Sequence, residues 1–225
     1  MNRENRAVVL LSGGLDSTTV TAIVHSSGME ICALSFSYGQ KHTAELEMAG
    51  RTAEKYLISE HLIVDIDPEP FRGSSLTGTG RIPREGITAE IPSTYIPARN
   101  TVFLSMALGV AETRDAEFIF TGVNAIDYSG YPDCRPEYID AFQKLADLAT
   151  RSSVEGRPIR ILAPLMHMTK AEIIRKGLDL GVDYSHTLSC YSPDLNGRSC
   201  GLCDACRLRL EGFRKNGTKD PAPYV

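Results

Sequence analysis

Ala7-Val8-Val9-Leu10-Leu11-Ser12-Gly13-Gly14-Leu15-Asp16-Ser17-Thr18-Thr19 runs from apolar residues into paired glycines, then into an aspartate and a row of hydroxyls. Ala7–Leu11 is short, apolar and β-branched, which predicts a buried strand closing on Ser12-Gly13-Gly14. A helix is predicted from Asp16 to Ser26, with Gly28 just past its end. A strand, a glycine turn and a helix start gather backbone N–H groups and the positive end of a helix dipole at one point, which suits an anion. Gly13 and Gly14 would let the backbone approach that anion, and Ser12, Ser17, Thr18 and Thr19 would add hydroxyl donors. A plain turn capped by Asp16 is the simpler alternative. Neither the GxxxxGK[ST] spacing nor GxGxxG is present, so a phosphate bound here is bound without a loop lysine.

Further strands are predicted at Glu30–Ser37, His61–Ile66, Glu117–Thr121 and Ile159–Leu162, alternating with helices. The helices are His42–Leu57, with Leu46, Ala49, Ala53 and Leu57 on one face, then Asn100–Glu112, Pro136–Thr150 and Thr169–Leu178. Asp67–Pro97 is rich in proline and glycine and reads as a long functional loop. Regular alternation of this kind predicts an α/β fold, a Rossmann-like parallel sheet with helices on both faces. Its ligand belongs at the carboxyl ends of the strands, where Ser12–Gly14, Ser37–Gln40 and Gly122–Asn124 fall.

The chain has 225 residues, a net charge of −4 and a pI near 5.8, which speaks against a general polyanion binder and leaves room for a small anion. No apolar run reaches membrane-spanning length and the N-terminus leads straight into the first strand, so a cytoplasmic protein with no membrane partner is expected. In a reducing compartment, clustered cysteines point to metal rather than disulfides. Cys190, Cys200, Cys203 and Cys206 supply four thiolates in a C-x9-C-x2-C-x2-C pattern, the set that closes a tetrahedral structural Zn²⁺ site. A four-cysteine iron–sulfur cluster and unligated thiols are the alternatives. The organisation expected is a nucleotide-binding domain over 1–180 and a zinc-binding segment over 181–225 packed on it. Cys32 reads as a small buried residue, and Cys134 as a thiol in a polar turn open to reactivity.

Three polar stretches, YGQKHTAE from Tyr38, YIPARNT from Tyr95 and GVNAIDYSGYPDCRPEY from Gly122, are too particular for scaffold. Their carboxylates, amides and tyrosines suit the edge and face of a planar heterocycle. A solvated loop is the competing reading of the last one.

SGGLDS at Ser12–Ser17 resembles the signature of the PP-loop ATP pyrophosphatases. Taken in order with YGQ-basic-His at Tyr38, PARNT at Pro97, N-x-x-DYSGYPDCRPE at Asn124, MTKAEI at Met168 and the cysteine pattern, the chain resembles the 7-cyano-7-deazaguanine synthase family from about Ala7 to Phe213. Lys41, Leu15 and Tyr138 depart from the residues common there, without loss of a charge or ligand. The resemblance implies that 7-carboxy-7-deazaguanine, ammonia and ATP give 7-cyano-7-deazaguanine through an acyl adenylate and an amide, for queuosine or archaeosine. It implies an ATP site over Leu11, Ser12, Gly13, Gly14, Leu15, Asp16, Ser17, Thr18, Thr19 and Val20, with Mg²⁺ near Asp16. It implies that Gly39, Arg99 and Asn100 frame the activated carboxylate, and that Asn124, Asp127, Tyr128, Asp133 and Arg135 hold the deazaguanine. Asp16, Lys170 and Arg99 are the expected catalytic residues, with Lys170 neutralising charge at the α-phosphate. His42 is either a base toward ammonium or a surface histidine. Family members form homodimers, which is expected here by analogy.

A PP-loop tRNA thiolation enzyme using Cys134 wants a basic RNA-binding face, and a zinc-ribbon binding module leaves the phosphate loop unexplained; neither suits a chain of 225 residues with a net charge of −4.

Overall fold

The computed structural model describes residues 5–40, 44–77, 80, 82, 91–126 and 130–225. Lys41, His42, Asp127 and Tyr128, named above, lie outside the described residues. Five strands form one parallel sheet: β1 (Arg6–Leu10), β2 (Glu30–Ser37), β3 (Glu60–Asp65), β4 (Phe118–Phe120) and β5 (Arg160–Leu162), in the order β3-β2-β1-β4-β5. Around it run α1 (Leu15–Ser26), α2 (Ala44–Lys55), α3 (Arg99–Thr113), α4 (Pro136–Ala149), α5 (Arg151–Val154), α6 (Lys170–Asp179) and α7 (Asp204–Lys215). The chain lays β1, β2 and β3 outward on one side, then crosses to put β4 on the other side of β1. That reversal makes the gap between β1 and β4 the switch point, where a parallel sheet opens a crevice.

The two faces of the sheet follow the twofold alternation of strand side chains. Val8, Cys32 and Leu34 face one way and pack on Leu104, Leu108 and Ala111 of α3 and on Ile139 and Phe142 of α4. Ala7, Val9 and Ile31 face the other way, onto Val20 and Val24 of α1 and Ile173 and Ile174 of α6. Ala33 and Leu11 meet Ala49 and Ala53 of α2 on that side. Being covered on both faces is why β1 and β2 read as nearly continuous apolar runs.

Several expectations need correction. The α2 helix closes at Lys55, and Leu57 sits beyond it with φ +51° and 89% exposure, outside the buried stripe. α7 is a full helix in the cysteine-rich segment, with Phe213 inserted among Ile173, Ile174 and Tyr184. Two glycines permit that seat. A Cβ at Gly212 would come within 2.7 Å of Ile174 Cδ1, and one at Gly177 within 1.8 Å of the Tyr184 hydroxyl. The space thus freed lets the Tyr184 and Thr19 hydroxyls share a buried hydrogen bond of 2.8 Å.

The long loop is anchored where it is described. Phe71, Ser74, Ser75 and Thr94 are buried, Ser75 N donates to Ser93 O at 2.8 Å, and the Thr94 and Tyr131 hydroxyls share a 2.7 Å hydrogen bond.

Candidate active site

A cavity of about 270 Å³ opens at the switch point. Its floor is the β1–α1 turn: Ser12, Gly14, Leu15, Asp16 and Ser17 border it, with Leu11 behind them. Gly14 is the N-cap of α1 with extended dihedrals and no side chain of its own to satisfy the helix amides. Asp16 is therefore not the cap, contrary to the simpler alternative above. Ser12 and Ser17 share a 3.0 Å contact between their hydroxyls, and Ser12 N donates to Ser17 Oγ at 3.2 Å. Thr18, Thr19 and Val20 turn inward. Thr19 Oγ1 donates to Leu15 O at 2.8 Å and Thr18 Oγ1 pairs with Thr52 Oγ1 at 3.5 Å, so both hydroxyls serve the core.

Gly13 has a different duty from the one expected. With φ +78°, it passes so close to α2 that a Cβ would stand 2.1 Å from Glu45 O and 2.7 Å from Ala49 N. Its freedom serves helix packing, and that packing carries Glu45 to the cavity rim.

Lys170 and Asp16 meet across the floor. The Lys170 ammonium donates to both carboxylate oxygens at 2.7 and 2.8 Å, with side-chain exposures of 7% and 23%. Thr169 places Lys170 by a complete capping box with Glu172 at the start of α6.

The second wall is Tyr38, Glu45, Arg99 and Phe103. Arg99 Nη1 donates to the Tyr38 hydroxyl at 3.3 Å, and the guanidinium lies 5.9 and 6.0 Å from the Tyr38 and Phe103 ring centres. Burial pushes the Tyr38 phenol up, with Arg99 working against it. Burial also pushes Glu45 up to about 7, with the Arg99 charge opposing. Gly39 takes φ +80°, where a Cβ would strike Pro68 at 2.3 Å, so it shapes the turn after β2 rather than lining the cavity.

Asn100 lines the cavity and is clipped to the 132–134 turn. Its backbone N–H donates to Asp133 Oδ2 at 3.1 Å and its side-chain amide to Asp133 O at 3.0 Å and Cys134 Sγ at 3.4 Å. Asp133, 6% exposed, thus serves the N-terminus of α3. Asn124 also lines the cavity, and its amide nitrogen donates to Leu165 O and Met168 O while Oδ1 accepts from Ile126 N. Arg135 is the exposed N-cap of α4 and stands apart from the cavity wall. Cys134 is buried rather than open, and burial and Asp133 push its thiol up to about 12, the reverse of an activated sulfur.

The third wall is the segment leading into the cysteines. Leu188 N donates to Gly13 O at 3.0 Å and Leu15 N to Ser189 Oγ at 3.3 Å, so this segment is sewn to the phosphate loop itself. The sulfurs of Cys190, Cys200, Cys203 and Cys206 lie within 4.8 Å of one another. Tetrahedral ligation at a Zn–S distance of about 2.3 Å puts sulfurs roughly 3.8 Å apart, so the set fits a metal. Ser192 N and Cys200 N donate to Cys190 Sγ at 3.3 and 3.2 Å, and Leu202 N and Cys203 N to Cys200 Sγ, both at 3.4 Å. Such bonds stabilise thiolate ligands. Contacts with Cys190 and Cys206 pull the Cys203 thiol well below its ordinary value, as expected where crowded thiols share protons.

Glu45, Tyr38 and Ser189 are among the cavity residues that the sequence analysis gave no individual role. Glu45 and Tyr38 close the two ends of the YGQKHTAE stretch, which was the only signal they gave.

A family model described as queuosine biosynthesis protein QueC matches residues 6–217. The 7-cyano-7-deazaguanine synthase of Geobacter sulfurreducens is 60% identical over 221 residues, covering 98% of this chain and 93% of that protein. That of Magnetococcus marinus is 57% identical over 219 residues, covering 97% and 96%. Among solved structures, the NMN synthetase from Francisella tularensis superposes with a TM-score of 0.53 at 18% identity, covering 96% of this chain and 78% of that one. A 4-thiouridine synthetase in complex with RNA and bound ATP gives 0.53 at 15% identity, covering 98% and 47%. At such identities the likeness is one of fold.

Proposed function

The chain belongs to the family of queuosine biosynthesis protein QueC, and from that membership we propose that it is an ATP-dependent ligase making 7-cyano-7-deazaguanine from 7-carboxy-7-deazaguanine and ammonia. The observation that carries this reading is the convergence of the α1 N-terminus, the Asp16–Lys170 pair and the Arg99–Tyr38 wall on one cavity.

A carboxylate resists ammonia because oxide would have to leave. The substrate carboxylate attacks the α-phosphate of ATP, pyrophosphate departs, and an acyl adenylate results. Ammonia then displaces AMP to give the amide, and a second activation at the amide oxygen with loss of AMP gives the nitrile. Ser12, Gly14, Leu15 and Ser17, with the amides of the first turn of α1, hold the β- and γ-phosphates. Asp16 would hold the Mg²⁺ that accompanies ATP, since hard cations on phosphate chains take one or two carboxylates. Lys170 compensates charge gathering on the α-phosphate, and Arg99 with Asn100 receives the carboxylate. The deazaguanine lies toward Asn124 and Asp133, whose own bonds are to the protein backbone, so they shape its pocket.

The four cysteines would hold a structural Zn²⁺, with no open position for catalysis. Ligation there would fix the segment that bonds to the β1–α1 turn through Leu188 and Ser189. We assign the nucleotide-binding unit to 1–180 and the metal-binding unit to 181–225. A cytoplasmic homodimer acting on small molecules, without nucleic acid or membrane, completes the reading; among the described residues no helix is long and apolar enough to cross a membrane. The family description favours queuosine over archaeosine as the destination of the product.

The test is incubation of the protein with ATP, Mg²⁺, an ammonium salt and 7-carboxy-7-deazaguanine, followed by mass analysis. The nitrile, with AMP and pyrophosphate, is expected. Absence of both nitrile and amide, with tRNA thiolated instead, overturns the reading.

A further inference from the structure

The reaction releases protons, because ammonia must shed one as it becomes an amide nitrogen. Neither Lys170 nor Arg99 offers a lone pair to accept it: the Lys170 ammonium donates to both Asp16 oxygens and Arg99 Nη1 donates to the Tyr38 hydroxyl. Cys134 is buried and its thiol is pushed up to about 12. Asp16 is engaged by the Lys170 ammonium on both oxygens.

Glu45 is the carboxylate left over. It borders the cavity, and among the described residues it has no hydrogen bond or ion pair. Its place is set by backbone packing: its carbonyl lies against Gly13 so closely that a single Cβ there would collide. Glu45 is thereby held between the phosphate loop, where the adenylate forms, and the Arg99–Tyr38 wall, where the acyl group is received. Among the described residues, the charged or titratable groups facing it are the Arg99 guanidinium from α3 and the Tyr38 phenol from the end of β2. Among the described residues, the cavity's other such groups are Asp16 and Lys170, paired to each other, and Arg209, paired with Asp220, with Cys134, Cys190, Tyr131 and Tyr191.

Resting on the activity proposed above, we propose that Glu45 is the general base of the amidation step. Ammonia's lone pair forms the C–N bond to the acyl carbon, and the C–O bond to AMP breaks with its electrons on AMP. One proton passes from the attacking nitrogen to a carboxylate oxygen of Glu45, and then to solvent through the open cavity. Burial suits the residue to this task. It lifts Glu45 to about 7 even though the first turn of a helix favours carboxylate charge, so the group accepts a proton near neutral pH and gives it up again.

The test separates activation from amidation in Glu45→Gln. Exchange of labelled pyrophosphate into ATP, driven by the carboxylic acid substrate without ammonia, reads the first step. Amide and nitrile formation with ammonium reads the second. Glu45→Gln is expected to keep most of the exchange while losing on the order of 100-fold in amide formation. Glu45→Asp recovers part of that loss. The ratio of wild-type to Glu45→Gln rates cancels the ionisation of ammonium itself, and this ratio should climb with pH and level off above about 7. Equal loss of exchange and amidation overturns the proposal in favour of substrate positioning. Amidation at the wild-type rate, or a ratio flat with pH, overturns it outright while the synthase reading stands. A wild-type chain forming neither amide nor nitrile overturns both.

Discussion

The Lys170 ammonium bridges both oxygens of Asp16, 154 positions earlier in the chain, and so joins the first turn of α6 to the first turn of α1. The pair keeps a carboxylate and an ammonium beside the β1–α1 turn, each neutralising the other. Asp16→Asn and Lys170→Met should each reduce nitrile formation by on the order of 100-fold or more. Their stabilities should differ. Lys170→Met strands a partly buried carboxylate and costs about 1–3 kcal/mol, discounted for the exposure of Asp16. The double variant should recover much of that stability and none of the activity, as urea denaturation beside turnover will show. Wild-type turnover in Asp16→Asn takes that residue out of the chemistry.

Gly13 offers a comparison with a built-in control. Gly13 and Gly28 both have φ +78°, yet a Cβ at Gly28 meets nothing within 4 Å, whereas at Gly13 it meets Glu45 O at 2.1 Å. Gly28→Ala should cost only the backbone term, about 1–2 kcal/mol. Gly13→Ala should cost more and displace the start of α2 from the loop. Thermal unfolding of the two variants reads the difference, and equal losses would show that α2 yields freely.

The parts of this molecule that could be read from sequence are those where one residue type repeats for one reason. Ala7–Leu11 and Glu30–Ser37 read as strands because both faces are covered. The cysteine spacing read as a ligand set because metal geometry demands few residues. α7 was hidden because a glycine, a buried arginine and a cluster cysteine, Cys206, interrupt its apolar stripe: Gly212 serves contact with α6 and Arg209 serves an ion pair. Glu45 looked like any helix-surface glutamate, since its burial depends on Gly13, Tyr38 and Arg99, which come from three other elements. Thr18 and Thr19 looked like loop hydroxyls, and only the positions of Thr52 and Tyr184 show that they turn inward.

Arg209 anchors the C-terminal tail. Its guanidinium donates to Asp220 at 2.7 and 3.0 Å, to Thr187 Oγ1 at 2.8 Å and to Tyr184 O at 2.8 Å, with both charged side chains 2% exposed. Tyr224 adds a 2.6 Å hydrogen bond to Asp220. Arg209→Met leaves the Asp220 charge buried and should cost about 3–5 kcal/mol. Combining it with Asp220→Asn should restore part of that loss. If Arg209→Met unfolds at the wild-type urea concentration, the clasp contributes nothing to stability.

The cysteine cluster predicts a metal-dependent phosphate loop. Elemental analysis should find zinc near one per chain, and iron with visible absorption would reassign the metal. Cys203→Ser, or chelation, should lower the unfolding temperature and weaken ATP binding together, because the ligand segment bonds to Gly13 and Leu15 through Leu188 and Ser189. Full ATP affinity in a metal-free chain would uncouple the two sites.

Glu45 should leave a mark on stability that is independent of catalysis. Its carboxyl is raised from 4.5 to about 7 in the folded chain, so the folded state holds the proton more tightly than the unfolded one. The stabilisation this gives is fully present below the unfolded value and is lost as pH rises through the folded one. The shift bounds the effect at about 3 kcal/mol. Glu45→Gln cannot ionise, so the stability of wild type relative to this variant should fall between about pH 5 and about pH 8 and stay level above. Urea denaturation of both proteins across that range measures it. A difference independent of pH would mean that Glu45 is ionised throughout, and would remove the physical basis for its acting as a base near neutrality.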